Sequence, residues 1–130
     1  MAVITGGSEG EDCLEARKHI ASPNYSELGI GYACAHQLLK NNIKKVFILS
    51  VSQDVIDGAK KSIAEDLGQD AASKMKWIQV DLSDWNRTAE VSKQIRDETN
   101  RLDILINNSA RGIMTYQVTE YGVDRHMAVK

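Results

Sequence analysis

Short apolar segments alternate with longer segments of helical period along this chain. Four segments are short and rich in Val, Ile and Leu, as β-strands are. They are residues 2–5, 45–51, 76–80 and 102–107. The second is apolar on both faces from Val46 to Leu49, which is typical of a strand buried in a parallel sheet. The pattern predicts strands that alternate with helices.

Two helices are predicted between the first three strands. The first covers residues 30–41, and its expected buried side is formed by Ile30, Ala33, Leu38 and Leu39. The second covers residues 54–67 and ends at Gly68, a common helix terminator. Its apolar residues recur at every fourth position, at Val55, Ala59, Ile63 and Leu67. Such stripes indicate core packing, and we assign them no chemistry.

Two further helices are predicted in the second half. Ser83 or Asp84 can cap a helix that ends near Asn100. Its apolar stripe is formed by Trp85, Thr88, Val91 and Ile95. A fourth helix is expected within residues 116–129. Alternating strands and helices imply right-handed crossovers, and the predicted fold class is α/β, a Rossmann-type doubly wound parallel sheet of about four strands.

Composition limits the possible partners. The 130 residues fit one domain, and 42% hydrophobic with 26% charged residues is ordinary for a globular chain. The net charge of -2, without a basic run, argues against a nucleic-acid or membrane partner. No apolar run approaches the roughly 20 residues that span a bilayer, and no secretory signal is visible, so a cytoplasmic location is expected. The spacing of cysteines and histidines indicates no metal site.

Residues 11–29 interrupt the pattern. They contain the only proline, show no sustained period, and separate a glycine-rich turn from the helix that should follow it. Loops between a strand and the next helix usually have about 2 to 6 residues. We therefore interpret residues 1–130 as a single domain that carries an inserted segment at 11–29.

The glycine-rich turn is the main candidate for chemistry. With residues 11–29 set aside, Thr5 to Gly10 followed by Ile30 and Gly31 reads T-G-x-x-x-G-x-G, between a strand and a helix. Glycines permit a tight turn and let backbone approach a pyrophosphate at a helix N-terminus. Gly29 is an alternative to Gly10, since either can border the insertion. This turn resembles the fingerprint of the short-chain dehydrogenase/reductase family.

Three further features follow in the order of that family. Asp81 comes directly after the third predicted strand, where the family has an aspartate that meets adenine. Residues 107–110 read N-N-S-A, similar to the family's N-N-A-G turn but different at Ser109 and Ala110. Residues 119–129 match a T-x-x-G helix pattern that ends in V-N, except that Lys130 replaces the asparagine. The resemblance covers the whole chain apart from residues 11–29.

The resemblance implies an NAD or NADP site and the strand order 3-2-1-4. The implied cofactor-binding residues are Gly6, Ser8, Gly10, Ile30, Gly31, Asp81, Leu82, Asn108, Ser109 and Ala110. Asp81 could equally act as a local helix cap before Ser83. Asn107 is expected to brace the sheet, while the turn after it lines the nicotinamide ribose. Residues 50–53 contain neither the acid typical of NAD sites nor an arginine for NADP, and Glu9 would repel a phosphate, so the preference stays open.

The catalytic serine, tyrosine and lysine of the family are absent from these residues. The tyrosines are Tyr25, Tyr32, Tyr116 and Tyr121, and none has a lysine four residues later. The chain is therefore interpreted as the cofactor-binding half of an oxidoreductase acting on alcohols or carbonyls, truncated and inactive alone. The alternative is a non-catalytic module that binds a dinucleotide or pairs with a paralogue through an exposed sheet edge, where Ile104 and Ile106 would lie uncovered.

Lys130 suggests a hypothesis about the origin of the chain. If an unspliced intron beginning GTAA interrupted an asparagine codon after AA, translation would read lysine and then a stop. The borders of residues 11–29 also permit intron-like codons. The chain is thus also consistent with a non-functional intron-retention product, and genomic DNA without GT and AG at these borders would contradict that idea.

Overall fold

A parallel four-stranded sheet forms the centre of the molecule. The computed structural model describes residues 1–6, 29–51, 53–110 and 115–129. The strands are β1 (Ala2–Thr5), β2 (Val46–Ser50), β3 (Met75–Gln79) and β4 (Ile104–Asn107). All neighbouring pairs are parallel, and the order is β3-β2-β1-β4. The predicted fold class and strand order are confirmed.

Helices lie between the strands, and one short helix follows β4. They are α1 (Gly29–Lys40), α2 (Gln53–Leu67), α3 (Gln69–Ser73), α4 (Trp85–Glu98) and α5 (Arg125–Ala128). The short α3 was not predicted, because its five residues offer only two apolar side chains, both alanines. Within the described residues, no helix is long and apolar enough to cross a membrane.

Each face of the sheet has its own apolar core. On one face, Ile4 and Ile48 pack in a cluster with residues of α1, α2 and α3. On the other face, Val3 and Phe47 pack in a cluster with α4. Successive strand residues point to opposite faces, so the central strands β1 and β2 are covered on both sides. This arrangement explains why all five residues of β2 are buried.

The buried faces of the helices differ in part from the predicted stripes. In α1, Ile30 is 75% exposed and Ala33 is also exposed, whereas Tyr32, Ala35 and Leu39 are buried. The ring of Tyr32 packs into the core cluster, and residues three and four positions further along share its side of the helix. The expected face was therefore wrong at Ile30 and Ala33, but Leu39 is buried and Leu38 packs against the core as predicted.

The other two stripes are confirmed in the described residues except at the start of α4, and Leu67 at the end of α2 packs against the core. Helix α2 buries Ala59 and Ile63 as predicted and adds Ile56, while the side chain of Val55 lies outside the described residues. Helix α4 buries Val91 and Ile95, but Trp85 is 43% exposed. The first turn of a helix at a sheet edge extends past the core, so sequence period overstates burial there.

Only the end of the predicted fourth helix is helical. Before α5, Val118 forms an antiparallel bridge with Asp124, and the N–H of Thr119 donates to the carbonyl of Val123 at 2.8 Å. Gly122 has φ of 73°, which closes this turn. A local turn thus replaces the expected helix over residues 116–124. Asp124 then caps α5 by accepting the N–H of His126.

Strand β4 is an edge of the described sheet. Leu105 is 56% exposed and Ile104 is 37% exposed, whereas Ile106 packs against the α1 side of the core. The prediction was therefore correct for Ile104 and wrong for Ile106. Leu105 pairs with Val3, which faces α4, but α4 does not extend over it.

Glu98, at the end of α4, ties that helix to the amino-terminal ends of two strands. It accepts hydrogen bonds from Lys76 at 2.5 Å and from Lys45 at 3.2 Å. The bond from Lys76 is the largest cause, with Gln94 next, of a pKa lowered from 4.5 to about 2. The unfolded chain therefore takes up this proton at a higher pH than the folded chain, and stability falls as pH falls through this range.

We expect Glu98→Gln to flatten the acid limb of the stability curve. Between pH 5 and pH 2, the wild-type free energy of unfolding should fall more steeply than that of the variant, as measured by urea unfolding. Glu90→Gln, at a solvent-exposed position on the same helix, is the matched control. Equal acid limbs in wild type and Glu98→Gln would contradict the role of this carboxylate.

Candidate cofactor site

The turn after β4 is bound to the end of β1 by one hydroxyl. Thr5 Oγ1 accepts the backbone N–H of Asn108 at 3.1 Å and that of Ser109 at 3.3 Å. The same oxygen lies 3.4 Å from the carbonyl of Ile106, to which it donates a long bond. Thr5 therefore fixes the position of residues 108–109 relative to β1.

Gly6 lies directly beneath that turn. Its N–H donates to the carbonyl of Leu49 at 2.8 Å, and its carbonyl accepts from Asn108 Nδ2 at 3.3 Å. Its φ is +68°, and an added Cβ would lie 2.7 Å from Ser109 Oγ and 3.0 Å from Ser109 Cα. Both the backbone conformation and the close approach require glycine at this position.

Gly6 also marks the switch point of the sheet. The chain leaves β1 towards α1, on one face, and enters β4 from α4, on the opposite face. In open α/β sheets, ligands bind outside the carboxyl ends of the strands at such a point. Gly6, Asn108 and Ser109 therefore lie at the crevice where folds of this kind bind their ligands.

Helix α1 begins near this crevice with a positive-φ glycine. Gly29 has φ of +72°, Ile30 extends outward from the first turn, and Gly31 is buried. The unpaired N–H groups and the dipole of a twelve-residue helix favour an anion at such an end. Ser8, Gly10 and most of the segment 11–29 lie outside the described residues.

Asp81 follows β3 at the same edge of the sheet. Its Oδ1 accepts the backbone N–H of Ser83 at 2.9 Å and the hydroxyl of Ser83 at 2.6 Å. Helix α4 is capped by Asp84, which accepts the N–H of Arg87, so neither Asp81 nor Ser83 is the cap. The carboxylate of Asp81 is 43% exposed and faces Arg125, whose Nη2 lies 4.0 Å from Oδ2.

The remaining predicted contacts divide into exposed and packed residues. Leu82 is half-buried and packs against the core cluster on the α4 face. Ala110 is exposed beyond the turn. Asn107, which we expected to brace the sheet, is exposed at the end of β4, and the side chain that bridges to β1 belongs to Asn108. Side chains alternate along a strand, so the bridging role moves by one residue.

Residues 115–129 lie against the start of α4. The rings of Trp85 and Tyr121 stack at 4.9 Å with an interplanar angle of 2°, and Trp85 Nε1 donates to the carbonyl of Ala128 at 3.1 Å. Burial raises the pKa of Tyr121. Burial opposes ionisation of Asp124, but hydrogen bonds from His126 outweigh it and lower the pKa of Asp124.

The end of β2 carries no charged group. Ser50 is buried, and its hydroxyl accepts from Trp77 Nε1 at 2.8 Å, while Val51 is exposed. Ser52 lies outside the described residues, and Gln53 is exposed in the first turn of α2. The described part of the β2 end therefore distinguishes neither NAD nor NADP.

The described residues support neither a second ligand site, in an open depression, nor a metal site. An open depression of about 780 Å³ lies between residues 42–44 and 97–101, at the amino-terminal edge of the sheet and far from the carboxyl ends where ligands bind. Among the described residues, no group of histidine, cysteine and acidic side chains could hold a metal ion.

Comparison with known proteins decides the family. A model of the family described as short chain dehydrogenase matches residues 26–129. The chain belongs to the short-chain dehydrogenase family. The resemblance found in the sequence is thereby confirmed.

Three relatives illustrate this membership. The oxidoreductase bli-4 of Neurospora crassa, named as mitochondrial, is 52% identical over 98% of this chain and 26% of its own length. The short chain dehydrogenase/reductase dpchH of Colletotrichum higginsianum is 31% identical over 99% of this chain and 27% of its own. The crystal structure of YwfH, an NADPH dependent reductase involved in bacilysin biosynthesis, superposes with a TM-score of 0.61 at 25% identity, over 86% of this chain and 35% of that one. The chain thus spans about a quarter of the length of these two curated relatives.

Sequence reasoning missed two residues of this candidate site. Thr5 stands at the start of the T-G motif, and its place at a strand end followed by glycine was the available signal. Arg125 gave no signal, because its approach to Asp81 joins residues 44 positions apart in sequence.

Proposed function

We propose that these residues are the cofactor-binding portion of an NAD(P)-dependent oxidoreductase that moves hydride between NAD(P)H and an alcohol or carbonyl compound. The carrying observation is Gly6, a positive-φ glycine in contact with Ser109 at the switch point of a parallel sheet. A dinucleotide is the ligand whose pyrophosphate matches a glycine turn beside a helix N-terminus. Family membership supports the same ligand class.

Three parts of the cofactor are assigned to three groups of residues along the crevice. We propose that Gly6 and the first turn of α1, with Ile30 and Gly31, hold the pyrophosphate. Ser8 and Gly10, outside the described residues, are proposed for the same role from the sequence. Asp81 and Leu82 contact the adenine. Residues 108–110 line the nicotinamide ribose, because Thr5 and Gly6 hold their backbone at the carboxyl edge of β1.

The bound nicotinamide supplies the hydride chemistry, and the residues of this chain bind and orient it. No tyrosine of the sequence has a lysine four residues later, and burial raises the pKa of Tyr32 above its ordinary value. A tyrosine that acts as an acid near neutral pH needs the opposite shift. We therefore propose that these 130 residues bind cofactor without turnover.

Residues 11–29 are proposed to interrupt the cofactor turn. The family match begins at residue 26, although β1, at residues 2–5, is a central strand of the sheet. An insertion between β1 and α1 accounts for both observations. The helix that receives the pyrophosphate starts at Gly29, so a shorter connection would return the glycine turn to the usual spacing.

Titration of the chain with NADPH and with NADH, followed by cofactor fluorescence, tests this function. We expect saturable binding that tightens when residues 11–29 are deleted, and the ratio of the two affinities reports the preference. Asp81→Asn should weaken binding, whereas Asp57→Asn, on the exposed face of α2, should not. Absence of binding by both folded forms, checked by circular dichroism, would contradict a cofactor role.

A second candidate function is pairing with another chain through β4. Leu105 is 56% exposed on a strand whose outer edge has no partner among the described residues. An apolar edge of this kind favours strand addition. Leu105→Lys should lower the apparent mass in light scattering, while Val51→Lys, an exposed residue away from this edge, should not. Identical masses for all three proteins would exclude this surface.

The compartment is a separate proposal. The sequence predicts a cytoplasmic protein, and the Neurospora relative is named as mitochondrial. We propose the cytoplasm, and imaging a carboxyl-terminal fluorescent fusion of the natural protein beside a mitochondrial stain would decide between the two.

A further inference from the structure

We propose that Arg125 is a positioning residue for the adenine end of the cofactor, acting through Asp81. This inference rests on the proposed function, in which Asp81 contacts adenine. Arg125 Nη2 lies 4.0 Å from Asp81 Oδ2, and the arginine side chain is 35% exposed. The two residues come from separate segments, so their approach is a product of the tertiary fold.

The carboxylate of Asp81 is oriented from both sides. Ser83 donates twice to Oδ1, from its backbone N–H and from its hydroxyl. The guanidinium of Arg125 faces Oδ2. Two donors on one oxygen and a cation beside the other hold the carboxylate plane in one direction. The carboxylate, whose side chain is 43% exposed, is then presented in one orientation to a donor such as the amino group of adenine.

Arg125 is itself held in place. Its N–H donates to the carbonyl of Gln117 at 2.8 Å, and its Nη1 donates to Gln117 Oε1 at 3.2 Å. The carbonyl of Ala128, at the end of the same short helix, accepts from Trp85 Nε1. Trp85 is the first residue of α4, only four positions after Asp81. These contacts fix residues 117–128 against the loop that carries Asp81.

Loss of the Arg125 charge should change the selectivity between adenine and hypoxanthine dinucleotides more than the overall affinity for a dinucleotide. The adenine amino group donates to a carboxylate, whereas hypoxanthine has a carbonyl at that position. A carboxylate held in one direction therefore distinguishes the adenine dinucleotide from its hypoxanthine analogue. Nicotinamide mononucleotide lacks the base and should be insensitive to Arg125.

The experiment compares NADH with nicotinamide hypoxanthine dinucleotide, reduced form, on the 130-residue chain. Arg125→Gln should lower the adenine-to-hypoxanthine affinity ratio by about three- to fivefold, the range expected for a partly exposed ion pair. Arg125→Lys should restore much of the ratio, because the charge remains. Arg96→Gln, on the exposed face of α4, is the matched control and should leave the ratio unchanged.

The outcomes separate this inference from the proposed function. If the wild-type chain binds NADH and Arg125→Gln keeps the wild-type ratio with an unchanged melting temperature, the positioning role is wrong and the cofactor site stands. If Arg125→Gln weakens nicotinamide mononucleotide as much as NADH, the arginine is merely structural. If the wild-type chain binds neither dinucleotide, the proposed function itself fails.

Discussion

Gly6→Ala is expected to weaken cofactor binding strongly and to destabilise the fold. A residue with a Cβ at φ of +68° costs about 1–2 kcal/mol, and the added carbon would lie 2.7 Å from Ser109 Oγ. The turn after β4 must then move away from β1, which opens the crevice that holds the dinucleotide. We expect a loss of about 2–3 kcal/mol in the free energy of unfolding and at least a roughly tenfold loss of affinity. Urea unfolding and NADPH titration measure the two effects.

Gly58→Ala is the matched control for that substitution. Gly58 lies inside α2, and an added Cβ would meet nothing within 4 Å. Removing a glycine from a helix interior should raise stability by about 0.5–1 kcal/mol and leave cofactor affinity unchanged. The double variant Gly6→Ala with Ser109→Gly should recover part of the lost stability, because it removes the 2.7 Å contact with Ser109 Oγ but keeps the 3.0 Å contact with the Cα of residue 109 and the strained φ. Wild-type affinity in Gly6→Ala would contradict the assignment of this turn to the cofactor.

Thr5→Val should have the second-largest effect. The substitution keeps the volume of the side chain but removes the oxygen that accepts from the N–H groups of Asn108 and Ser109. Two donors that lose their partner in a half-buried site cost about 1–3 kcal/mol together. The freed turn should also bind cofactor more weakly. A lower melting temperature and a higher dissociation constant for NADPH are the expected measurements.

Thr5→Ser distinguishes the hydroxyl from the methyl group. Serine retains the acceptor oxygen, so it should restore most of the affinity even if the loss of the methyl lowers stability slightly. Thr88→Val supplies a second control, since the hydroxyl of Thr88 donates only to the carbonyl of Asp84 within α4. Equal behaviour of Thr5→Val and Thr88→Val would show that Thr5 does not organise the site.

The described strands followed closely from local pattern. Val46 to Leu49 could be assigned from sequence because an apolar run between turn residues has few stable alternatives to a buried parallel strand. Gly68 ended a helix as expected, with φ of 93°. Gly6 and Asp81 lie just after β1 and β3, as the sequence indicated, whereas their expected roles came from the family resemblance.

Other features depended on contacts that local pattern does not carry. The buried face of α1 passes through Tyr32 and not Ile30, because packing against the sheet sets the rotation of a helix whose apolar residues allow more than one face. A turn replaces the helix predicted from residue 116, because Thr119 and Gly122 form local hydrogen bonds that compete with those of a helix. Leu105 is exposed, since no described element covers that side of β4.

The alternation of strands and helices and the place of Asp81 just after β3 followed from the amino-acid sequence, because both depend on local residue periodicity. Tertiary packing was needed to show that the side chain of Asn108, and not that of Asn107, bonds to Gly6, that Thr5 holds the turn and that Arg125 faces Asp81. Each of those contacts joins residues more than 40 positions apart. Such contacts arise when strands and helices pack together, and the free energy that favours them comes from packing of the assembled core.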